Sequence, residues 1–275
     1  MAAHSQSLAV RLDSRTTGIL LPAVSLWQRE IVRFYRNRGR VAGVILSPLL
    51  FWLVIGSGFG TSFQGGRAGG GSQYLEYFFP GALTMIVLFT SIFAMMSVIE
   101  DRKEGFLLSV LVAPVHRSVI VLGKVLGGTT LAAIQGMIFL VFAPFAGVHL
   151  ELIQILLVAV VVLLVSFALT ALGFAIAWPM DSTSAFHGII NLFLIPLWLL
   201  SGALFPLSGA SVWIRALMYM NPLTYGVEAL RDLLYPGMDT PFPLPSAMAT
   251  LLLFSLVMFG LAFLMVNRRT TRPAA

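Results

Sequence analysis

The 275-residue chain contains no cysteine and few charged residues, and both absences narrow what it can be. Without cysteine it has no disulfide framework, no thiolate metal site and no thiol nucleophile. Charged residues make up 10% of the chain, whereas soluble domains carry about 25%. Hydrophobic residues make up 58%. The composition therefore predicts an integral membrane protein.

Groups that carry catalysis are also missing from the sequence. The four histidines show no spacing typical of a metal site, and no paired carboxylates or Ser/His/Asp set stands out. Lysine occurs twice: Lys103 precedes Glu104, and Lys124 precedes Val125. Neither completes the Gly-x-x-x-x-Gly-Lys-[Ser/Thr] loop that holds nucleotide phosphates. We therefore expect no catalytic residue, no cofactor or metal in this chain, and no ATP hydrolysis by it.

Six apolar runs are long enough to cross a bilayer, whose core needs about 20 helical residues. They cover residues 41–59, 78–99, 119–142, 152–178, 185–204 and 246–266. Acidic residues lie only near the ends of these runs, unlike the midplane carboxylates typical of ion-coupled carriers. Lys124 lies about one turn into the third run, where we expect it to snorkel to the surface. The predicted fold is an all-α membrane protein with six transmembrane helices.

Basic residues are distributed unevenly around these spans. The segments before span one, between spans two and three, and after span six, together with Lys124 near the start of span three, hold 14 of the 17 Lys and Arg residues. The positive-inside rule then places both termini and the loop after span two in the cytoplasm, with the spans in the inner (plasma) membrane. This bias also accounts for the net charge of +6. We expect membrane lipids, and no nucleic acid, as partners.

The N-terminal segment, residues 1–40, contains a helical pattern between Pro22 and Gly39. One face is apolar and the opposite face is basic, as in helices that lie in the membrane interface: Val24, Trp27, Ile31, Phe34 and Tyr35 against Arg29, Arg33, Arg36 and Arg40. Two roles remain open for this helix, a topological anchor or an elbow that moves span one. Residues 41–267 form a single transmembrane domain, and 268–275 form a cytoplasmic tail.

Charged residues interrupt the apolar sequence after span two: Glu100, Asp101, Arg102, Lys103 and Glu104, followed by Gly105. Because charges are costly in hydrocarbon, we expect residues 100–117 to form a water-facing loop. Its acidic start suits the N-terminus of a short helix ending near Pro114. Leu107, Val110 and Leu111 share one side of that helix and suit a partner's groove. The alternative is a solvated loop whose charges only set topology.

Residues 205–235 are apolar but broken, notably at Pro206 and at Asn221-Pro222. Two short helices are predicted, over about 211–220 and 223–234, and neither is long enough to span. Asn221 suits an N-cap and Pro222 the first helical position. Glu228 and Arg231 form an i,i+3 pair. We expect an extracytoplasmic re-entrant hairpin, which is either a structural plug or a gate.

Two segments resemble the membrane subunit of type-2 ABC exporters. Residues 100–117, with Gly123-Lys124 after them, match the pattern Glu-x-x-x-Gly-Thr-x-Glu-x-Leu-x-x-x-Pro-[Val/Ile] and a later Gly-Lys. Phe106 replaces the Thr of that pattern, and the following Glu is missing. Residues 196–206, 221–225 and 228–231 are similar to the late segment of drug- and glycan-exporting permeases of the ABC-2 type.

The resemblance implies a permease subunit of an ATP-driven exporter. It implies a homodimer or heterodimer of permeases, each docked on a cytoplasmic ABC ATPase subunit that binds ATP and Mg²⁺. The implied ATPase-docking residues, in a coupling helix, are Glu100, Asp101, Arg102, Lys103, Glu104, Gly105, Leu107, Leu111 and Pro114. The implied gate residues are Pro206, Asn221, Pro222, Tyr225, Glu228 and Arg231.

The implied substrate is amphipathic or lipid-linked, such as a drug-like molecule, a glycolipid or a polysaccharide. Bulky apolar residues near spans one, two and five favour such a molecule over a small ion. Two other functions remain open, a membrane scaffold or assembly protein that transports nothing and a secondary carrier. A neighbouring gene for a P-loop ATPase would favour the exporter.

Overall fold

The structure, a computed structural model, describes residues 19–36, 38–62, 70–113, 115–148, 150–238 and 240–268. The regular elements in these residues are helices. They are α1 (Leu20–Arg36), α2 (Arg38–Ser62), α3 (Gly70–Lys103), α4 (Phe106–Val112), α5 (Ser118–Phe139), α6 (Leu152–Ala177), α7 (Thr183–Trp198), α8 (Val212–Met220), α9 (Pro222–Leu234) and α10 (Leu244–Asn267). Three short turns of other helical types lie between them: Leu140–Ala146, Leu199–Ala203 and Leu207–Gly209.

Six helical segments are long and apolar enough to cross a membrane, so the chain is a multi-pass membrane protein. They are Val41–Gly58, Tyr74–Lys103, Ser118–Ala146, Leu152–Ala177, Thr183–Ala203 and Leu244–Asn267. Each contains most or all of one predicted span, which confirms their number and order. The largest boundary differences are four residues, at both ends of Tyr74–Lys103 and at the end of Ser118–Ala146.

Helix α3 forms the centre of the bundle. Within Tyr74–Lys103, 89% of its most apolar 18-residue stretch is buried. It packs against α2, α5 and α6. In the first half of α3, the Phe79 ring lies 5.4 Å from the Trp52 ring of α2 and stacks on the Phe139 ring of α5 at 5.1 Å. Lipid tails are as apolar as these side chains, so close packing rather than exclusion from water holds the helices together. The bundle therefore depends on the fit of side chains around α3.

Helix α1 packs along α5. Leu26 and Phe34 are buried, and the Trp27 indole N–H donates to Thr130 Oγ1 at 3.0 Å. Helix α1 ends at Arg36 and α2 begins at Arg38. The helical pattern predicted between Pro22 and Gly39 therefore covers most of α1, and Gly39 itself lies in the first turn of α2. A helix does not need apolar side chains to continue beyond the bilayer, and α2 extends past its apolar run through these polar positions.

The charged stretch after span two is helical, which corrects the predicted loop. Helix α3 has 34 residues and is about 51 Å long, much longer than the roughly 30 Å of a bilayer core. A helix of this length reaches beyond the bilayer core, and its charged last turn, residues 100–103, suits a position outside the hydrocarbon. Gly105 adopts φ 76°, a left-handed conformation that favours glycine, and α4 begins at the next residue. The acidic residues thus end one helix instead of starting another.

Helix α7 ends in a break, defined here as Leu199–Ala203. The turn there is of the π type, and Gly202 has φ 80°. A Cβ at Gly81 would lie 2.7 Å from the Cβ of Ala203, so α3 approaches the break closely. Helices α8 and α9 follow, which confirms the two short helices predicted in this region.

Candidate functional site

The charged stretch meets the N-terminal helix in a cluster that we call the charged junction: Arg29, Glu30, Arg33, Glu100, Asp101, Glu104 and Lys124. Its centre is Asp101, whose side chain is 0% exposed. Arg29 binds this carboxylate with two hydrogen bonds, of 2.7 and 2.8 Å. Arg33 donates to it at 2.6 Å. One acidic side chain of α3 therefore holds two arginines of α1.

Lys124 completes the charged junction from α5. Its side chain is 1% exposed, and its ammonium group donates to Glu30 at 2.6 Å, to Ser97 Oγ at 3.0 Å, and to Asp101. The expectation that Lys124 snorkels to the surface is therefore wrong. Two carboxylates and a hydroxyl replace the water that a snorkelling ammonium would reach. The junction thus links three helices through side-chain ion pairs.

The rim of the charged junction is more open. Arg33 also binds Glu100 at 2.8 Å and reaches Glu104 at 3.4 Å, where the carboxylate is exposed. The hydrogen bond to Asp101 is the main cause that raises the pKa of Arg29 above its ordinary value. Ion pairs therefore extend from the buried centre to the turn that precedes α4.

The predicted docking residues separate into an inner and an outer set. Asp101 is buried, so the expectation that it faces water is wrong, and its charge is paired inside the protein. Arg102 turns away from α4: it donates to Met180 O and to Asp181, both at 2.9 Å. Lys103 and Glu104 are exposed. Pro114 lies outside the described residues.

The predicted apolar stripe of α4 packs against the rest of the chain. Leu107 is buried, and Val110 and Leu111 are half-buried against the bundle. The exposed apolar side chains are Leu108, at 64%, and Val112, at 83%. They form an i,i+4 pair, which is the one signal that points to them. The sequence did not separate the two faces, because nearly every α4 side chain is apolar.

The predicted gate residues surround the break after α7. Non-helical backbone in a membrane protein needs partners for its carbonyl groups. Asn221 Nδ2 donates to Leu197 O at 2.6 Å, and the Thr224 hydroxyl donates to Leu200 O at 3.3 Å. Two further residues supply donors to Gly202 O, Tyr77 at 2.8 Å and Arg231 at 2.9 Å. We call Tyr77, Asn221, Thr224, Glu228 and Arg231 the polar clamp.

Glu228 and Arg231 form the charged part of the polar clamp. Both are buried, and their side chains form the predicted i,i+3 ion pair. The guanidinium lies 4.2 Å from the centre of the Tyr77 ring, a cation–π contact. Burial raises the pKa of Glu228 and outweighs the opposite effect of Arg231. Glu228 Oε2 and Arg231 Nε are buried without a hydrogen-bond partner in the described chain.

The remaining gate residues shape the helices around the polar clamp. Asn221 Oδ1 accepts from Leu223 N at 3.0 Å, and Pro222 is the first residue of α9, as predicted. The Tyr225 hydroxyl donates to Tyr219 O at 2.9 Å and so ties α9 to α8. Pro206 precedes the short turn at residues 207–209. These contacts tie α8 to α9, and the clamp attaches α9 to the break.

An apolar cavity of about 690 Å³ lies between α2, α3 and α7. Its lining includes the following aromatic and sulfur-containing side chains: Phe51, Met85, Phe89, Phe93, Met96 and Trp198. Ser47 and His187 add hydroxyl and imidazole groups. The sequence pointed to bulky apolar residues near these three spans, but not to His187, because a lone histidine gives no signal without its neighbours.

Comparison with known proteins covers most of the chain. The sequence model of the family described as ABC-2 type transporter matches residues 23–235, from α1 through α9. A protein named as a transport permease, ycf38 of Cyanophora paradoxa, is 30% identical over 213 residues, covering 76% of this chain and 72% of that one. Nodulation protein J of Rhizobium leguminosarum bv. trifolii is 23% identical, covering 90% and 94%. The daunorubicin resistance ABC transporter permease protein DrrB1 of Streptomyces coeruleorubidus is 24% identical, covering 81% and 77%.

Proposed function

The chain belongs to the ABC-2 type transporter family, and on that premise we propose that it is the permease subunit of an ATP-driven exporter. Membrane subunits of this family are transport components and are not themselves the ATPase. The family implies association with an ATP-binding subunit. In our proposal ATP and Mg²⁺ bind on that cytoplasmic partner, and both termini of this chain lie on the same side of the inner membrane.

We place the ATPase contact on α4. Leu108 and Val112 project from it into solvent, and Lys103 and Glu104 are exposed beside it. Apolar side chains on a short exposed helix fit the groove of a partner. The other predicted docking residues act from behind: Asp101 anchors the end of α3, and Leu107 packs α4 onto the bundle.

The observation that carries this proposal is the set of ion pairs that attaches the end of α3, just before α4, to two other helices. The charged junction fixes the end of α3 to α1 and α5 immediately before Gly105. A push on α4 would therefore reach both the first helix and the bundle centre. In this view α1 is an interfacial helix, with exposed Val24 and Tyr35 against lipid, and it acts as an elbow between the ATPase and α2.

We place the substrate route beside α2, α3 and α7. The cavity there has the size of known ligand sites, about 300–1,000 Å³. Its mostly apolar lining favours an amphipathic or lipid-linked molecule. The break and the polar clamp form the gate, and α8 with α9 form a re-entrant hairpin on the outer side. Val212 of α8 is 85% exposed there. Two copies of the chain pair around the route.

The ATPase contact can be tested by co-purification from the native host in a mild detergent. We expect a P-loop ATPase to co-purify with the wild-type chain in a one-to-one ratio. The double variant Leu108→Glu, Val112→Glu should lose this ATPase while still inserting in the membrane. Val212→Glu adds a carboxylate at an equally exposed site on α8 and should keep the partner. Recovery of the wild-type chain alone would contradict the exporter, and retention by the α4 variant would contradict the surface.

A further inference from the structure

The joint between α3 and α4 is a single glycine. Gly105 has φ 76°, and a Cβ built on it would meet no atom of the described residues within 4 Å. Helix α4 has seven residues, about two turns, and helices this short are marginal by themselves. The side chains of α4 must therefore fix its orientation on the protein.

The first two side chains of α4 attach it to different parts of the chain. Leu107 is buried in the main apolar core. Phe106 packs against a separate small apolar cluster, formed by Ala23, Leu26 and Val119. The first two of these belong to α1 and the third to α5. Phe106 thus gives α4 an attachment to α1 that does not pass through α3.

The ring of Phe106 also lies under a guanidinium group. The Arg29 Cζ atom is 3.7 Å from the centre of the ring, a cation–π contact. The same guanidinium binds Asp101 with two hydrogen bonds, of 2.7 and 2.8 Å. A guanidinium bound in this bidentate way has a fixed plane, and its flat face can stack on an aromatic ring. Asp101 therefore orients Arg29, and Arg29 orients Phe106.

This contact requires an aromatic side chain at the first position of α4. The pattern of type-2 ABC exporters has Thr where this chain has Phe106. A threonine has no π face to offer a guanidinium, and a leucine would supply apolar volume without one. The contact between Phe106 and Arg29 is thus a feature of this chain that the general pattern does not specify.

We propose that Phe106 is a positioning residue: its ring, held by Arg29, sets the orientation of α4 and makes α1 and α4 move as one body. The proposal rests on the proposed function and adds the residue that carries a movement of α4 directly to α1. Leu107 connects α4 to the main core instead. Loss of the ring should therefore leave α4 attached to the bundle but separate its movement from that of α1.

A first experiment tests the attachment without any ATPase. The chain has no cysteine, so spin labels go only to introduced cysteines, Val24→Cys on α1 and Ser109→Cys on α4, both at exposed positions. Pulsed electron paramagnetic resonance measures the distance between the two labels in lipid nanodiscs. We expect one narrow distance in the otherwise wild-type chain and in Phe106→Tyr, which keeps the ring. Phe106→Leu has no π face and should lose the narrow peak.

A second experiment tests transmission in the complex with the ATPase. A label at Leu163→Cys, an exposed position on α6, serves as the reference for the α1 label and for the α4 label in turn. ATP, Mg²⁺ and vanadate should shift both distances in the wild-type background. In Phe106→Leu the α4 distance should still shift and the α1 shift should be lost, with rescue in Phe106→Tyr. A merely structural role would abolish both shifts together.

Phe145→Leu is the matched control, because it removes a ring that is 74% exposed and lies outside α4. It should change none of the distances. An equally narrow distance between the α1 and α4 labels in Phe106→Leu overturns the positioning role. Loss of both nucleotide-dependent shifts in that variant, or an α1 shift of wild-type size, overturns it as well. Failure of the ATPase to co-purify with the wild-type chain would contradict the proposed function, and the first experiment would still decide whether Phe106 holds α4 to α1.

Discussion

The charged junction and the polar clamp both pair a buried carboxylate with arginine, but they connect different parts of the chain. In the junction, Asp101 and Lys124 join side chains from three separate helices. In the clamp, Asn221 and Arg231 hold the backbone carbonyls of one broken helix. The junction's central carboxylate has three cationic partners, whereas Glu228 has one and keeps an oxygen without a hydrogen bond in the described chain.

This difference predicts how firmly each region is held. Removing one member of a many-partner ion cluster leaves buried charges that no proton transfer readily neutralises. Glu228 can accept a proton, because burial already raises its pKa. Loss of Arg231 would therefore cost less than loss of Asp101. In our proposal this suits the functions, since a coupling element must stay rigid and a gate must open.

The largest effect is expected from Asp101→Asn. It removes the charge that Arg29, Arg33 and Lys124 share, and breaking a buried ion pair costs roughly 3–5 kcal/mol. We expect the free energy of unfolding to fall by about 3 kcal/mol, since Glu30 still pairs with Lys124. Denaturant unfolding in nanodiscs measures this change. Because the chain has no cysteine, labelling of Leu26→Cys reports separately whether α1 has detached.

The matched control is Asp181→Asn, which breaks the pair with Arg102 at an aspartate that is 69% exposed. Exposed pairs contribute about 0–1 kcal/mol, so little change is expected. Equal losses for the two variants would show that burial of Asp101 does not set its contribution. Strong thiol labelling of Leu26→Cys in an otherwise wild-type chain would show that α1 is not held at all.

A smaller effect is expected from Arg231→Met in the polar clamp. It removes the donor to Gly202 O and the partner of Glu228, but protonation of Glu228 offsets part of the loss. We expect the free energy of unfolding to fall by about 2 kcal/mol, the scale of a buried hydrogen-bonding group that loses its partner. The double variant with Glu228→Gln should lose less than the two single losses added together. Strict additivity would contradict the ion pair.

The clamp was more predictable from the sequence than the junction. Asn221-Pro222 and the Glu228–Arg231 pair are local signals, and the structure shows both as expected. The carbonyl groups that these residues bind could not be predicted. Leu197 O and Gly202 O become available only because α7 breaks, and no local pattern specifies where a π turn will form.

The junction was hidden from sequence reasoning by distance. Arg29 and Asp101 are 72 residues apart, and neither shows in the sequence that it has a partner. The rule that charges face water then misplaced Asp101 and Lys124. The six spans were predictable for the opposite reason, since length and hydropathy are properties of each segment alone. Helix ends beyond the apolar runs, as in α3, depend on these distant ion pairs.

A still smaller effect is expected from Asn221→Ala. The variant removes the N-cap of α9 and the donor to Leu197 O, and loss of an N-cap costs about 1 kcal/mol. Asn191→Ala, at an exposed position on α7, is the matched control and should change little. Thermal unfolding of the two variants in the same nanodiscs makes the comparison. If both behave like wild type, Asn221 does not hold the break to α9.

The smallest expected effect is on the pH dependence of the free energy of unfolding, to which Glu228 of the polar clamp contributes. Because burial raises the pKa of Glu228, the folded state binds its proton more tightly than the unfolded state does. As pH rises from the ordinary glutamate pKa toward the raised value, the unfolded state has lost this proton and the folded state still holds it. The free energy of unfolding must then fall with rising pH over that window. Glu228→Gln cannot titrate and should lose this part of the slope, while its unfolding is otherwise similar to wild type at the acidic end. A wild-type slope unchanged by Glu228→Gln would show that Arg231 keeps the carboxylate ionised, and the clamp would then resemble the junction instead of contrasting with it.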